Sequence, residues 1–277
     1  MNLGRIIKFF LLWFSILTFS FSSYADDVPS ISADMQRIKD SGKLVVAMYF
    51  EDVPPFAMQN KNKEFVGIDV DIARDIAKKL GVEVVFNREP KTYDEIVQYV
   101  FEKKADIAIS LLSDTLARAM FVRFSKPYWS VKQALLINRL KLSTYKNHPD
   151  FKNIKMLLNQ KSIRIGVIEG SSYVDFAKKD FPLAEIIVYK KSSEGINATK
   201  QSKIMAFLYD ETEVMNWVKK YPEDSLYLRP HSLKESDDTL AFAVQSQDEQ
   251  LLHWLNLYIE KSKGNFFKQL QKKYTDK

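Results

Sequence analysis

Cysteine is absent from all 277 residues, which excludes a disulfide framework, a thiolate metal site, a catalytic thiol and a lipid-modified N-terminal cysteine. Glycine is scarce, at eight residues, and no glycine-rich phosphate loop or G-x-S-x-G elbow is formed from them. The three histidines, His148, His231 and His253, share no metal-ligand spacing, and His253 between Leu252 and Trp254 reads as part of a packed helix. No cofactor, metal or catalytic constellation is therefore expected. The charge of one sign is also small: Lys+Arg of 41 against Asp+Glu of 35 leaves +6. Aromatic residues are not interleaved with a basic stripe, so no nucleic-acid partner is expected.

What is present at the start is a leader. Arg5 and Lys8 form a positive region, residues 9–21 an apolar run, and Ser23-Tyr24-Ala25 places small residues at −3 and −1. That order is the signature of a secretory signal peptide over 1–25. The apolar run is about 13 residues, short of the ~20 that a spanning helix needs, so cleavage after Ala25 is preferred to a membrane anchor. A soluble, exported product is expected.

From Lys43 onward, apolar runs of strand length alternate with helical patterns. Strands are expected at 43–48, 83–86 and 105–110. The stripe Ile72, Ile76, Leu80 predicts a helix stopped at Gly81. Thr92-Tyr93-Asp94-Glu95 is a capping box opening a second helix, with Ile96, Val97, Val100 and Phe101 facing inward. After a break the rhythm restarts: strands at 133–138, 164–168, 185–190, 204–209 and 239–245, a helix over 214–218, and closing helices. Ser172-Tyr173-Val174-Asp175 reads as another capping box. A β-α-β order of this kind predicts α/β lobes with largely parallel sheets.

One stretch stands out chemically. A buried-looking strand at 105–110 runs into Leu111, Ser113 and Thr115, then Arg118, where the carboxyl ends of strands meet helix starts. A planar guanidinium there can hold a carboxylate through two parallel hydrogen bonds.

Here the chain resembles the periplasmic solute-binding proteins of amino-acid ABC transporters, the bacterial family 3 group. The residues carrying the resemblance are Pro54-Pro55-Phe56, the run from Phe65 to Gly81, the run from Lys104 to Ala108, and Ser113-x-Thr115-x-x-Arg118. It continues through the run from Phe124 to Tyr128, Ile165 to Ser171, Ala206 to Asp210, and Leu240 to Val244. Their order and spacing run from Ser41 to the C-terminus. The resemblance implies a two-lobed fold with a ligand cleft between lobes, each lobe a mostly parallel sheet flanked by helices. Lobe 1 would be 41–130 plus 238–277, and lobe 2 the insertion 131–237.

The resemblance also implies roles. Arg118 would bind a ligand α-carboxylate, helped by Ser113 and by backbone at Leu111. Gly170, Ser171 and Ser172 would face it from the second lobe, and Asp210 would pair with the α-ammonium. Tyr93 would lie against the ligand side chain. Each has a structural alternative: helix capping for Ser172, a turn for Asp210, packing for Tyr93. Many relatives carry an Asp six residues before the motif phenylalanine and an aromatic three before it; here those positions are Phe50 and Val53. A monomer serving an inner-membrane permease is implied, with no catalysis. The rival reading is a cyclohexadienyl dehydratase on the same scaffold, whose general acid would be sought among Glu51, Asp52 and Glu169; a sensory subunit is a third.

The leader yields a direct test. N-terminal sequencing of the periplasmic form should begin at Asp26, and intact Met1 in a membrane fraction would make the apolar run an anchor.

Overall fold

The computed structural model describes residues 30–146 and 153–275. The leader and His148 lie outside the described residues. The chain divides into a short unit, Met1–Ser32, and a large one, Ala33–Lys277; the elements below belong to the large one. In chain order they are α1 (Ala33–Ser41), β1 (Lys43–Ala47), β2 (Met58–Gln59), β3 (Phe65–Val66), α2 (Ile68–Leu80), β4 (Glu83–Asn87), α3 (Tyr93–Phe101) and β5 (Ile107–Ala108). A single 3-10 turn (Arg118–Met120) precedes β6 (Val122–Phe124) and the long β7 (Trp129–Asn138). Then follow α4 (Arg139–Lys146), α5 (Ile154–Leu158), β8 (Arg164–Ile168), α6 (Tyr173–Asp180), β9 (Glu185–Tyr189), α7 (Ser192–Lys200), β10 (Ala206–Asp210) and α8 (Glu211–Lys220). The chain closes with β11 (Leu228–Leu240), β12 (Ala243–Gln245), α9 (Glu249–Ser262) and α10 (Phe266–Tyr274).

The strands form two five-stranded sheets, β4-β1-β5-β12-β6 and β11-β7-β10-β8-β9. Each has a parallel run of three, β4-β1-β5 and β10-β8-β9. Each is completed by antiparallel strands, so both sheets are mixed rather than parallel throughout. The reason is the connectivity. β7 carries the chain into the second sheet and β11 carries it back, side by side, so the two must run in opposite directions. Their ladder pairs Trp129 with Leu240 and Val131 with Asp238, shifts register between Ser232 and Asp237, then resumes at Ala134–Ser232. The strand expected over 239–245 is accordingly broken, ending β11 at Leu240 and restarting as β12 at Ala243.

Each sheet has its own core. One buried cluster draws on residues from Ile38 to Val131 and from Leu240 to Leu270. The other runs from Ala134 to Leu228. Among the described residues, the β7–β11 pair carries the chain between the two sheets.

Local chemistry sets the helix ends. Gly81 adopts φ 70 and stops α2 as expected. Thr92 Oγ1 accepts the Glu95 N–H at 3.1 Å, half of the capping box; the Glu95 carboxylate takes the N–H of Lys91, one residue earlier than the motif implies. Ser172 overturns the second expected box. It is already helical (φ −58, ψ −21) and caps nothing with its side chain. A hydroxyl reaches its own helix's free N–H groups from an extended backbone, which Ser172 does not have. The strand at 105–110 shrinks to Ile107–Ala108 because the chain then turns through Leu111 at φ 49.

Gly67 shows where a glycine is required. Its φ is 144, and a Cβ there would lie 2.1 Å from the Phe56 carbonyl oxygen. Gly42 has φ 65 and open space around it. Gly67→Ala should therefore lower Tm by on the order of 10 °C, and Gly42→Ala by only a few degrees. Equal melting curves for the two variants would refute the steric account.

Candidate functional site

The two sheets meet where the loops after β5 and β8 face one another. Tyr93, Leu111, Ser113, Arg118, Ser171, Ser172, Tyr173, Tyr209 and Asp238 enclose a residual space of about 10 Å³. Seven of the eight residues anticipated for the site are thus within this region or, for Gly170, bonded into it; Asp210 sits at the adjoining strand end.

Arg118 is buried and held on three sides. Its Nε donates to Asp94 Oδ1 at 3.0 Å, Nη1 to the Ser113 carbonyl at 3.2 Å and Nη2 to the Gly170 carbonyl at 3.1 Å. A guanidinium has five N–H donors, so one remains on each terminal nitrogen, the pair a carboxylate would take. The Gly170 carbonyl also accepts the Asp94 N–H at 3.1 Å, which makes it a two-donor bridge across the cleft. Gly170 has φ 62, and a Cβ would lie 2.7 Å from Thr92 Cβ. Both the backbone conformation and the close approach demand glycine.

Ser172, relieved of capping, places Oγ 2.8 Å from Ser113 Oγ across the same cleft. Ser113 Oγ also donates to Asp238 Oδ2 at 2.9 Å. Ser171 turns its hydroxyl back to the Ile168 carbonyl. Leu111 needs a correction of emphasis: its N–H is spent on Asp69 Oδ2 at 2.7 Å, so only its carbonyl is left for a ligand. Asp69 is fully buried and its other oxygen takes the Tyr128 hydroxyl at 2.7 Å. Burial pushes the Asp69 carboxyl up to about 7. Tyr93 stacks on Tyr49 with ring centroids 4.8 Å apart and brings its hydroxyl 3.5 Å from that of Tyr209.

Asp210 ends β10 and caps α8. Its Oδ1 accepts the Glu213 N–H at 2.8 Å, while Oδ2 is buried with no hydrogen-bond partner. The turn reading holds through Oδ1, and Oδ2 is left over. Burial raises its carboxyl to about 6. Asp238, on the returning strand, is raised to about 7, by burial first and by the neighbouring Asp210 charge, against the lowering pull of the Ser113 hydroxyl. Glu213 is raised well above the usual carboxylate range by burial and by Asp210.

The sequence pattern missed Asp238, Tyr173, Tyr209, Asp69 and Glu213. For Asp69 the signal would have been a carboxylate on the apolar stripe of Ile72, Ile76 and Leu80. Of the three acids proposed for a dehydratase, Glu51 pairs with Lys191 at 3.5 Å, Asp52 with Arg88 at 3.0 Å, and Glu169 is exposed. None lines the enclosed space. Among the described residues no group of three or more acidic or histidine side chains converges on a metal site.

This fold matches known proteins. The family model of bacterial extracellular solute-binding proteins, family 3, matches residues 44–277, and the chain belongs to that family. It is 25% identical over 204 residues to the ABC transporter arginine-binding protein 1 of Escherichia coli K12, covering 73% of this chain and 78% of the relative. It is 24% identical over 229 residues to the L-cystine-binding protein TcyJ of the same strain, covering 83% and 79%. Among solved structures, the amino-acid ABC transporter substrate-binding protein AbpA of Streptococcus pneumoniae, bound to L-arginine, has TM-score 0.71 and 28% identity, covering 86% of this chain and 94% of that one. The ancestral amino acid-binding protein AncCDT-1, described as a precursor of cyclohexadienyl dehydratase, has TM-score 0.70 and 26% identity, with 87% and 98% covered.

The buried acids give the fold a pH dependence. A carboxyl whose folded pKa exceeds its unfolded value binds its proton more tightly when folded. Its contribution is complete below about pH 4 and is lost as pH rises through 6 to 7, the values of Asp210, Asp238 and Asp69. Between pH 4 and 8, Asp210→Asn should lose on the order of 2 kcal/mol less stability than the wild type. Thermal melts at several pH values measure this, and parallel curves would contradict it.

Proposed function

We propose that this protein binds an α-amino acid between its two lobes in the periplasm and delivers it, as a single chain, to an inner-membrane ABC permease. The single observation carrying the site assignment is a pair of opposite charges with spare bonding capacity. Arg118, on the first sheet's side, has two free N–H donors; Asp210, on the second, has a buried free oxygen. An α-amino acid carries a carboxylate and an ammonium at matching ends. Ser113, Ser172 and the Leu111 carbonyl supply neutral contacts, and Tyr93 with Tyr49 forms an aromatic wall.

The lobes of this reading are 41–130 plus 238–277, and 131–237. They are in contact as they stand: Ser113 with Ser172, Arg118 and the Asp94 N–H with Gly170, Asn216 Nδ2 with the Pro54 carbonyl at 2.8 Å, and Lys191 with Glu51. The 10 Å³ between them holds no more than one water. An amino acid enters only if the lobes separate about the β7–β11 pair, where the register shift between Ser232 and Asp237 breaks the ladder. Closure around ligand is the hinge motion described for periplasmic binding proteins. Export follows the leader, and catalysis is not part of this reading, since Glu51, Asp52 and Glu169 lie outside the enclosed space.

The test is calorimetry after a thermal-shift screen of the common amino acids, since a ligand bound only by the folded state raises Tm. Arg118→Ala should weaken binding at least about 100-fold, because two charge-assisted hydrogen bonds are lost, and Arg118→Lys should not restore the fork. Asp210→Asn should weaken it comparably, and small-angle scattering should show less ligand-driven compaction. Unchanged affinity in both variants would sink the assignment. Turnover of prephenate or arogenate would replace binding with catalysis.

A further inference from the structure

The cleft holds more negative charge than an α-amino acid's own two ends require. Arg118 faces the ligand carboxylate and Asp210 the ammonium, which leaves Glu213 unanswered. Glu213 lies in the first turn of α8, one helical step from Asp210, which accepts its backbone N–H. Its Oε1 is buried and without a hydrogen-bond partner, as is Asp210 Oδ2 beside it. The face of α8 that carries it is turned to the first lobe, because Asn216, three residues on, donates to the Pro54 carbonyl. Its carboxyl adds, after burial, to the upward shift of the Tyr93 and Tyr209 hydroxyls, and both tyrosines line the enclosed space next to which Glu213 sits. Lys220, two turns along the same helix and exposed, is the positive charge that bears on it. Asn216 bonds the Glu213 carboxyl and Lys220 bears on it, yet Oε1 stays buried and bare; a buried polar atom without a partner is costly, so that oxygen marks a place where a positive group belongs.

The first lobe's one carboxylate lining the enclosed space, Asp238, already accepts the Ser113 hydroxyl. Phe50 and Val53 occupy the positions from which a polar side chain could have read the ligand, and neither has a polar side-chain atom. Asp52, next to them, is tied to Arg88 and to the Gln59 N–H. Glu51 is tied to Lys191. What the first lobe does supply is the stacked pair Tyr49–Tyr93, with Phe50 edge-on to Tyr49 at 4.9 Å. Aromatic faces favour a cation.

The geometry points to Glu213 as the specificity-determining residue of the cleft, receiving a second positive group at the end of the ligand side chain, so that the ligand is a diamino or guanidino acid held at that end by the second lobe. This deepens the amino-acid reading above and rests on it. The arrangement places ammonium and side-chain cation on one helix start, Asp210 at its cap and Glu213 in its first turn. The aromatic pair of the first lobe covers the aliphatic stem.

Matched ligands separate the possibilities without any variant. The wild type should bind L-arginine or L-lysine about tenfold or more tighter than L-citrulline or L-norleucine, which keep length and lose the charge. Glu213→Gln should remove that preference while leaving L-citrulline affinity within about twofold. Glu213→Asp, which keeps the charge but shortens the reach, should retain part of it. Neutral and cationic ligands bound alike by the wild type, with Arg118→Ala still abolishing both, would overturn this inference and leave the amino-acid reading standing. A preference that survives Glu213→Gln would overturn it too. Failure of every amino acid to bind would bring down both readings. Glu213-dependent turnover of prephenate or arogenate would make the residue a proton donor instead.

Discussion

Asp210 is sealed from water with one oxygen bonded and one bare, and much of the site follows from that. A carboxylate in this position is unfavourable in the protein alone. The fold spends one oxygen on the start of α8, which helps to hold the charge, and burial still lifts its proton affinity to about 6. Burial raises Asp238 and Glu213 in the same direction, with the Asp210 charge adding to each. Arg118 is the opposing pole, and it is not free to swing across: Asp94, Ser113 and Gly170 fix its plane. Two fixed and opposite charges on opposing lobes cannot meet directly. In the proposed reading a small zwitterion between them completes both.

Closure is built from backbone as much as from side chains. The Gly170 carbonyl takes one N–H from the start of α3 and one from Arg118, so a single peptide group senses both the helix and the guanidinium of the other lobe. Such contact is sterically open only to glycine, with Thr92 at 2.7 Å from the missing Cβ. Asp69 works one layer behind. Its two oxygens tie Leu111, in its left-handed turn, to Tyr128, the residue just before β7. The loop after β5 and the residue leading into β7 are thereby bonded to the same buried carboxyl.

The sequence was most legible where one local cause decides the structure. Gly81 stops its helix because a left-handed residue must follow the last turn, and Thr92 caps because it stands extended before α3. Ser172 has the same motif around it and a different outcome. Its backbone is set by the Gly170 turn and its hydroxyl by Ser113 from the other lobe, neither of which is a neighbour in sequence. The antiparallel halves of both sheets escaped the pattern too, since alternation of strands and helices does not encode that two crossing strands must run in opposite directions. Asp238 lay hidden in a polar stretch, Ser236-Asp237-Asp238-Thr239, whose alternation in β11 turns Asp238 inward and leaves Asp237 exposed.

By itself the sequence determined the two rounds of strand and helix, and the motif residues from Pro54 to Val244 that mark the family. These are properties of periodicity, turn chemistry and spacing, all short-range along the chain. The tertiary structure decided which oxygen atoms are left without partners, and hence where charge is wanted. That depends on desolvation, which is the sum of everything packed around a group and is fixed only when residues about 20 to 125 apart in the chain are brought together. Arg118 was recognisable by its motif; the upward pull on Asp210, Asp238 and Glu213 arises only once the fold has buried them.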